Sequence, residues 1–234
     1  MFSVRSLTEK AICASRSMPS ARSFEWHGLV FAAVGAAPEP ADWLLDVAPP
    51  ASDLSRYRHV ARDAYEIDCN WKVYVENYLE GYHLPHVHPE LNRLLDYRHY
   101  RTALGRWHSV QSSPLGSASV PYRAGEARYV FLYPGTMLNL LPDRLQTNRV
   151  VAVAPQRCRV VFDYYAAPDV DEAAVAADRR FSDVVQREDE AICEAVQRGL
   201  ASGSYEDGPL NPQREAALAH FHALLREDCA NAAD

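Results

Sequence analysis

Paired cysteines are what this sequence most plainly lacks. Its five cysteines, Cys13, Cys69, Cys158, Cys193 and Cys229, are scattered, none stands in a C-x-x-C, and none has histidine at its second or third following position. Thiolate zinc and iron–sulfur motifs need ligands a few residues apart, so the sequence excludes both. An odd, dispersed count also argues against a disulfide framework and fits a reducing compartment, so a cytoplasmic location is expected. Long apolar runs are missing too. No window approaches the roughly 18 apolar residues of a membrane span, and no secretory core follows Met1. There is no excess of positive charge: 24 Lys and Arg face 31 Asp and Glu, for a net charge of −7. That argues against nucleic acid or an anionic membrane as the main partner.

What is present reads as α+β. Short stretches rich in β-branched and aromatic residues, bounded by Pro or Gly, predict strands. They are "FEWHGLVFAAV" (24–34) and "YRHVARDAYEID" (57–68), then "YRHYRT", "RWHSVQSS", "ARYVFLY", "TMLNLL", "TNRVVAVA" and "CRVVFDYYA" between about 97 and 166. The first two are joined by a Pro-rich connection, 35–53, with a short helical turn around Trp43. Short links between the later strands imply an antiparallel meander. A helix is expected over 70–84, where Trp71, Val75, Tyr78 and Tyr82 recur at helical steps until Pro85. A long helix follows from about 170 to 201, with Asp169 or Asp171 as N-cap, and a last one over 212–229. One curved antiparallel sheet wrapped around long helices is the expected architecture, and it leaves a natural cavity.

Three of the nine histidines, His83, His86 and His88, crowd into "ENYLEGYHLPHVHPEL" (76–91). On a helix over 70–84, Glu76, Glu80 and His83 fall within about 60° of one another, opposite the aromatic stripe. A solvated polar face accounts for that equally well. Pro85 and Pro89 break the helix, so a turned chain can swing His88 back toward His83. Two neutral imidazoles plus an oxygen donor suit Fe(II) or Zn(II). His86 is the competing ligand, and three histidines in a polar surface loop is the plain alternative.

A third ligand must come from far away. On the helix 170–201, Phe181, Val184, Val185, Ile192, Val196 and Leu200 form the expected buried stripe, which Glu188 and Asp189 interrupt. A carboxylate there is costly unless paired or metal-bound. Periodicity does not choose between the two acids, and a pairing with Arg187 or Arg198 rivals a metal. Two histidines and one carboxylate on Fe(II) leave positions open for substrate and O2. The same ligands on zinc would activate water for hydrolysis. The strand aromatics Tyr129, Phe131, Tyr133, Phe162 and Tyr164 either pack the sheet or line a pocket able to hold a quaternary ammonium. No substrate residue is assigned among them.

The stretch "NWKVYVENYLEGYHLPHVHPEL" resembles the mononuclear-iron motif of Rieske-type non-haem iron oxygenase α subunits. Asn70, Trp71, Lys72, Glu76, Asn77, Tyr78, Glu80, Tyr82, His83, His88 and Pro89 all match it. "REDEAICEAVQRGLASGSYEDGPLNPQREAALAHFH", about a hundred residues on, resembles the closing helices of the choline, betaine and carnitine monooxygenase branch. The resemblance implies His83 and His88 as iron ligands, Asp189 as the carboxylate, and His86 as a neighbour. It implies that Glu80 bridges toward a neighbouring subunit's Rieske 2Fe–2S cluster and passes electrons. Those electrons would come from NAD(P)H through a reductase or ferredoxin.

It further implies a helix-grip fold, O2 as co-substrate, and mono- or dioxygenation of a small aromatic or quaternary-amine substrate, aromatic ring hydroxylation included. A homo-oligomer, usually a trimer, goes with it. Family members carry an N-terminal Rieske domain whose C-x-H and C-x-x-H pairs hold the cluster. This chain has neither pair, so it is expected to begin where that domain ends. Residues 1–16 then match nothing, residues 17–234 form the mononuclear-iron catalytic domain, and the Rieske cluster acts in trans. The alternatives are an inactive truncated remnant that at most binds a ligand, and a zinc hydrolase.

Overall fold

In a computed structural model the structure describes residues 22–33, 44, 47, 53–95, 97–115, 123–206 and 208–231. The expected helical turn at Trp43 and the segment 1–16 lie outside the described residues. The first strand-like stretch is a hairpin, not one strand: β1 (Arg22–Trp26) pairs antiparallel with β2 (Leu29–Ala33). His27 and Gly28 take φ of 49° and 87°, the positive pair that a two-residue hairpin turn requires. His27 is not a usual turn residue, which hid the turn. Gly28 is needed twice over, since a Cβ there would lie 2.7 Å from the Ser55 Cα.

Among the described residues the main sheet has seven strands, all paired antiparallel. They are β3 (Arg58–Ile67), β4 (Arg101–Leu104), β5 (His108–Leu115), β6 (Gly125–Leu132), β7 (Thr136–Leu141), β8 (Arg144–Ala154) and β9 (Arg157–Ala166). Their order is β3-β9-β8-β7-β6-β5-β4, so the strands from β4 to β9 form the expected meander and β3 adds to its far edge. The helices are α1 (Trp71–Leu79), α2 (Leu84–Val87), α3 (Pro89–Leu94), α4 (Glu172–Ala201) and α5 (Ala216–Asn231). The class is α+β, as expected.

Alternation along the strands gives the sheet two apolar faces. Phe131, Met137, Val160, Phe162 and Tyr164 point to a core shared with α1, Cys193 of α4, and Phe221 and Leu224 of α5. Phe221 is its hub, with ring contacts to Trp71, Phe131 and Tyr133. Val130, Leu132, Leu138, Leu140 and Leu145 point the other way, under Trp26, Leu29 and Phe31 of the hairpin.

Three helix expectations need correction. α1 ends at Leu79, not 84, because Glu80 is extended (φ −124°, ψ 156°) and Gly81 follows. Tyr82 is therefore off the aromatic stripe and 40% exposed. On α4, capped by Asp171, Val184, Val196 and Leu200 face outward, while the buried residues are Asp178, Gln186, Cys193 and Gln197. That inner face is polar because it packs on the polar side of α1. Gln197 accepts from the Asn70 amide, Gln186 from the Tyr74 hydroxyl, and Asp189 from the Asn77 side chain. The last helix starts at Ala216, after a turn in which the Asn211 side chain accepts from the amides of Gln213 and Arg214.

Candidate metal centre

The chain between Leu79 and Leu94 is two short helices in series. Each follows a histidine at its N-cap and carries proline at its first or second position: His83 precedes α2 with Pro85, and His88 precedes α3 with Pro89. Proline suits that place because the first helical N–H groups have no intrahelical partner. The prolines thus start helices here, and a Pro85 that stops one is the wrong picture. The expected shared helical face of Glu76, Glu80 and His83 does not form either. Glu76 instead lies 2.8 Å from His222 of α5. Glu80 turns back, its carboxylate accepting from the amides of Tyr82 and His83.

His83, His88 and Asp189 each place a ligand atom so that all lie within 4.8 Å of one another. Asp189 Oδ1 is 3.0 Å from His88 Nε2, 3.8 Å from His83 Nε2, and accepts from Asn77 Nδ2 at 2.7 Å. The second nitrogen of each ring has its own carboxylate. Glu80 Oε1 accepts from His83 Nδ1 at 2.5 Å, and Glu188 Oε2 from His88 Nδ1 at 2.7 Å. Metal-binding histidines are held this way by an outer carboxylate that fixes tautomer and ring plane. Two such imidazoles and one carboxylate are a donor set for non-haem Fe(II), so the residues present fit the implied iron. Burial pulls the His88 pKa down, but its contacts with Asp189 and Glu188 outweigh burial and hold it above the ordinary histidine value. His86 is exposed and outside the group.

Residues 54–231 match the family described as ring hydroxylating alpha subunit (catalytic domain). The chain belongs to this family. Chloroplastic choline monooxygenase of Arabidopsis thaliana is 40% identical over 177 residues, which is 73% of this chain and 42% of that protein. Putrescine 2-hydroxylase of Bordetella bronchiseptica is 27% identical, over 86% of this chain and 52% of that protein. The chain thus spans about half the length, or less, of these curated relatives. A solved quaternary ammonium Rieske monooxygenase superposes with a TM-score of 0.76 at 22% identity, over 88% of this chain and 61% of that one. That last likeness is one of fold.

The histidine–aspartate group opens into a cleft between α1, α4 and the sheet. Its open space, solvent at the mouth included, is about 890 Å³. Leu84, Leu91, Leu95 and Leu141 give it an apolar side, and Tyr78, Tyr100, Phe162 and Phe181 an aromatic one. Of the five strand aromatics singled out in the sequence, Tyr129 and Phe162 line the cleft. Phe131, Tyr133 and Tyr164 pack the core.

Three residues have roles that sequence reading did not give them: Glu188 as the partner of His88, Asn77 as the donor to Asp189, and Gln186 in the cleft wall. A signal was available. Asp178, Ser182, Gln186, Asp189, Cys193 and Gln197 recur at steps of three and four, a helical stripe that is polar instead of apolar. Among the described residues no helix is long and apolar enough to cross a membrane.

Proposed function

We propose that this chain is the mononuclear-iron catalytic part of a Rieske-type oxygenase that hydroxylates or oxidatively demethylates a small amine or aromatic substrate. The observation that carries the reading is one convergence. Asp189 lies 101 residues from His88 in the chain yet 3.0 Å from it in space, within a family of oxygenase catalytic domains. His83 and His88, through Nε2, and Asp189, through a carboxylate oxygen, would hold the iron. Bound iron would supply the O2 chemistry that no side chain here provides. Glu80 and Glu188 keep a proton on Nδ1 of each ring, so each Nε2 presents its lone pair inward. The leucine and aromatic walls keep bulk water from the reacting substrate.

In this reading residues 17–234 form the catalytic domain. Electrons come from NAD(P)H through a reductase or ferredoxin and a Rieske 2Fe–2S cluster in trans, entering at Glu80. The solved relative described in terms of inter-subunit electron transfer supports that route and a homo-oligomer, which we take to be a trimer. Relatives named for choline and putrescine support a small amine as substrate. Free Cys69, Cys158, Cys193 and Cys229 fit a reducing compartment, the cytoplasm in our reading.

The test is turnover of choline by the Fe(II)-loaded chain with NAD(P)H and a reductase, with and without a separately supplied Rieske protein. Oxygenation only when the Rieske protein is present is the expected result. Steady turnover with the reductase alone, or hydrolysis by a zinc-loaded chain without oxygenation, overturns the proposal.

A further inference from the structure

Gln186 sits on α4 one turn before Asp189, is 1% exposed, and lines the same cleft. The Tyr74 hydroxyl donates to its Oε1 at 2.7 Å and so fixes the plane of the amide. Its Nε2 is buried and has no partner among the described residues. Buried donors are nearly always paired, so an orphan in a ligand cleft calls for an acceptor that the ligand brings. Several other amides of the wall have partners: Asn139 accepts from the Tyr78 hydroxyl and Asn148 from Gln146. Gln111 donates to the Tyr78 carbonyl and Asn77 to Asp189.

The rest of the wall narrows the acceptor. No Lys or Arg lines the cleft among the described residues, whereas Asp189 and Glu80 both do. A carboxylate or phosphate would enter beside two acids with no side-chain cation to meet it, only a metal whose charge Asp189 already offsets in part. A neutral oxygen on a neutral or cationic molecule meets the orphan donor and needs no such cation.

We propose that Gln186 is a specificity-determining residue whose side-chain amide donates to a hydroxyl or carbonyl oxygen of a neutral or cationic substrate. This rests on reading the cleft as the substrate site. The amide, held by Tyr74, then selects an oxygen-bearing amine over the same amine without its oxygen.

The experiment is calorimetric titration of the metal-loaded chain with choline and with ethyltrimethylammonium, which differ by one hydroxyl. Choline is expected to bind about tenfold tighter, the worth of one well-placed hydrogen bond. Gln186→Met keeps the length and unbranched shape, and is expected to bring the two affinities within about twofold. In the wild type, which needs no substitution to fold, the isotope-labelled Gln186 side-chain amide resonance should shift with choline and not with ethyltrimethylammonium. Equal binding of the two by the wild type, binding of neither, or a preference that survives Gln186→Met overturns the proposal. Fe(II) titration of the same sample separates the two readings. One bound iron alongside a failed choline test removes only the role of Gln186, whereas no bound iron removes the oxygenase reading beneath it.

Discussion

The metal centre has two halves built on opposite plans. The loop half, Glu80 to Leu94, is local: two prolines, two N-cap histidines and one carboxylate within a few residues. The helix half is one polar stripe on α4, whose residues work only because α1 lies against them. The contrast shows how His88 is fixed. Successive helical residues point about 100° apart, and Glu188 and Asp189 use that angle to clamp opposite nitrogens of one imidazole.

The largest expected effect tests whether the halves depend on each other. His83→Ala, His88→Ala and Asp189→Ala should each abolish stoichiometric Fe(II) binding, as read by metal analysis after gel filtration. If Asp189→Ala kept full binding, the helix half would be scenery to a loop-only site. Next in size are the outer carboxylates. Glu188→Gln and Glu80→Gln should each weaken Fe(II) by about 10–100-fold in competition titration. Glu80→Gln should cost more, since Glu80 also receives the amides of Tyr82 and His83 and holds the turn itself.

A pH series sharpens the clamp. With the His88 pKa raised, its proton stabilises the metal-free fold below the ordinary histidine value, and that contribution fades as pH rises through the raised one. Metal must displace that proton. Fe(II) affinity should therefore fall as pH drops through that raised value, and Glu188→Gln should move the fall to lower pH. The smallest effect is at His86. His86→Ala should leave affinity within about twofold, because the ring is exposed and touches neither half.

The same contrast explains what could be read from the chain. His83 and His88 were legible because a dense cluster around two prolines is visible without knowing the fold. The meander was legible because each strand is short, aromatic and punctuated. On α4 the apolar period misled. Val184, Val196 and Leu200 looked like the buried face and are exposed, since the face turned inward carries hydrogen bonds instead of packing. Glu188 and Asp189 could not be ranked as rival ligands from periodicity because both serve the same ring. Only the resemblance to an oxygenase motif separated them.

The hairpin β1–β2 lies outside residues 54–231, the part of the chain that matches the family. Yet Trp26, Leu29 and Phe31 cover Val130, Leu132, Leu138, Leu140 and Leu145 on the face of the sheet turned away from the metal. The family boundary and the folding boundary are therefore different places. A protein cut at residue 54 would keep every proposed iron ligand and bare a greasy wall on its back. Sticking to copies of itself would be its dominant property.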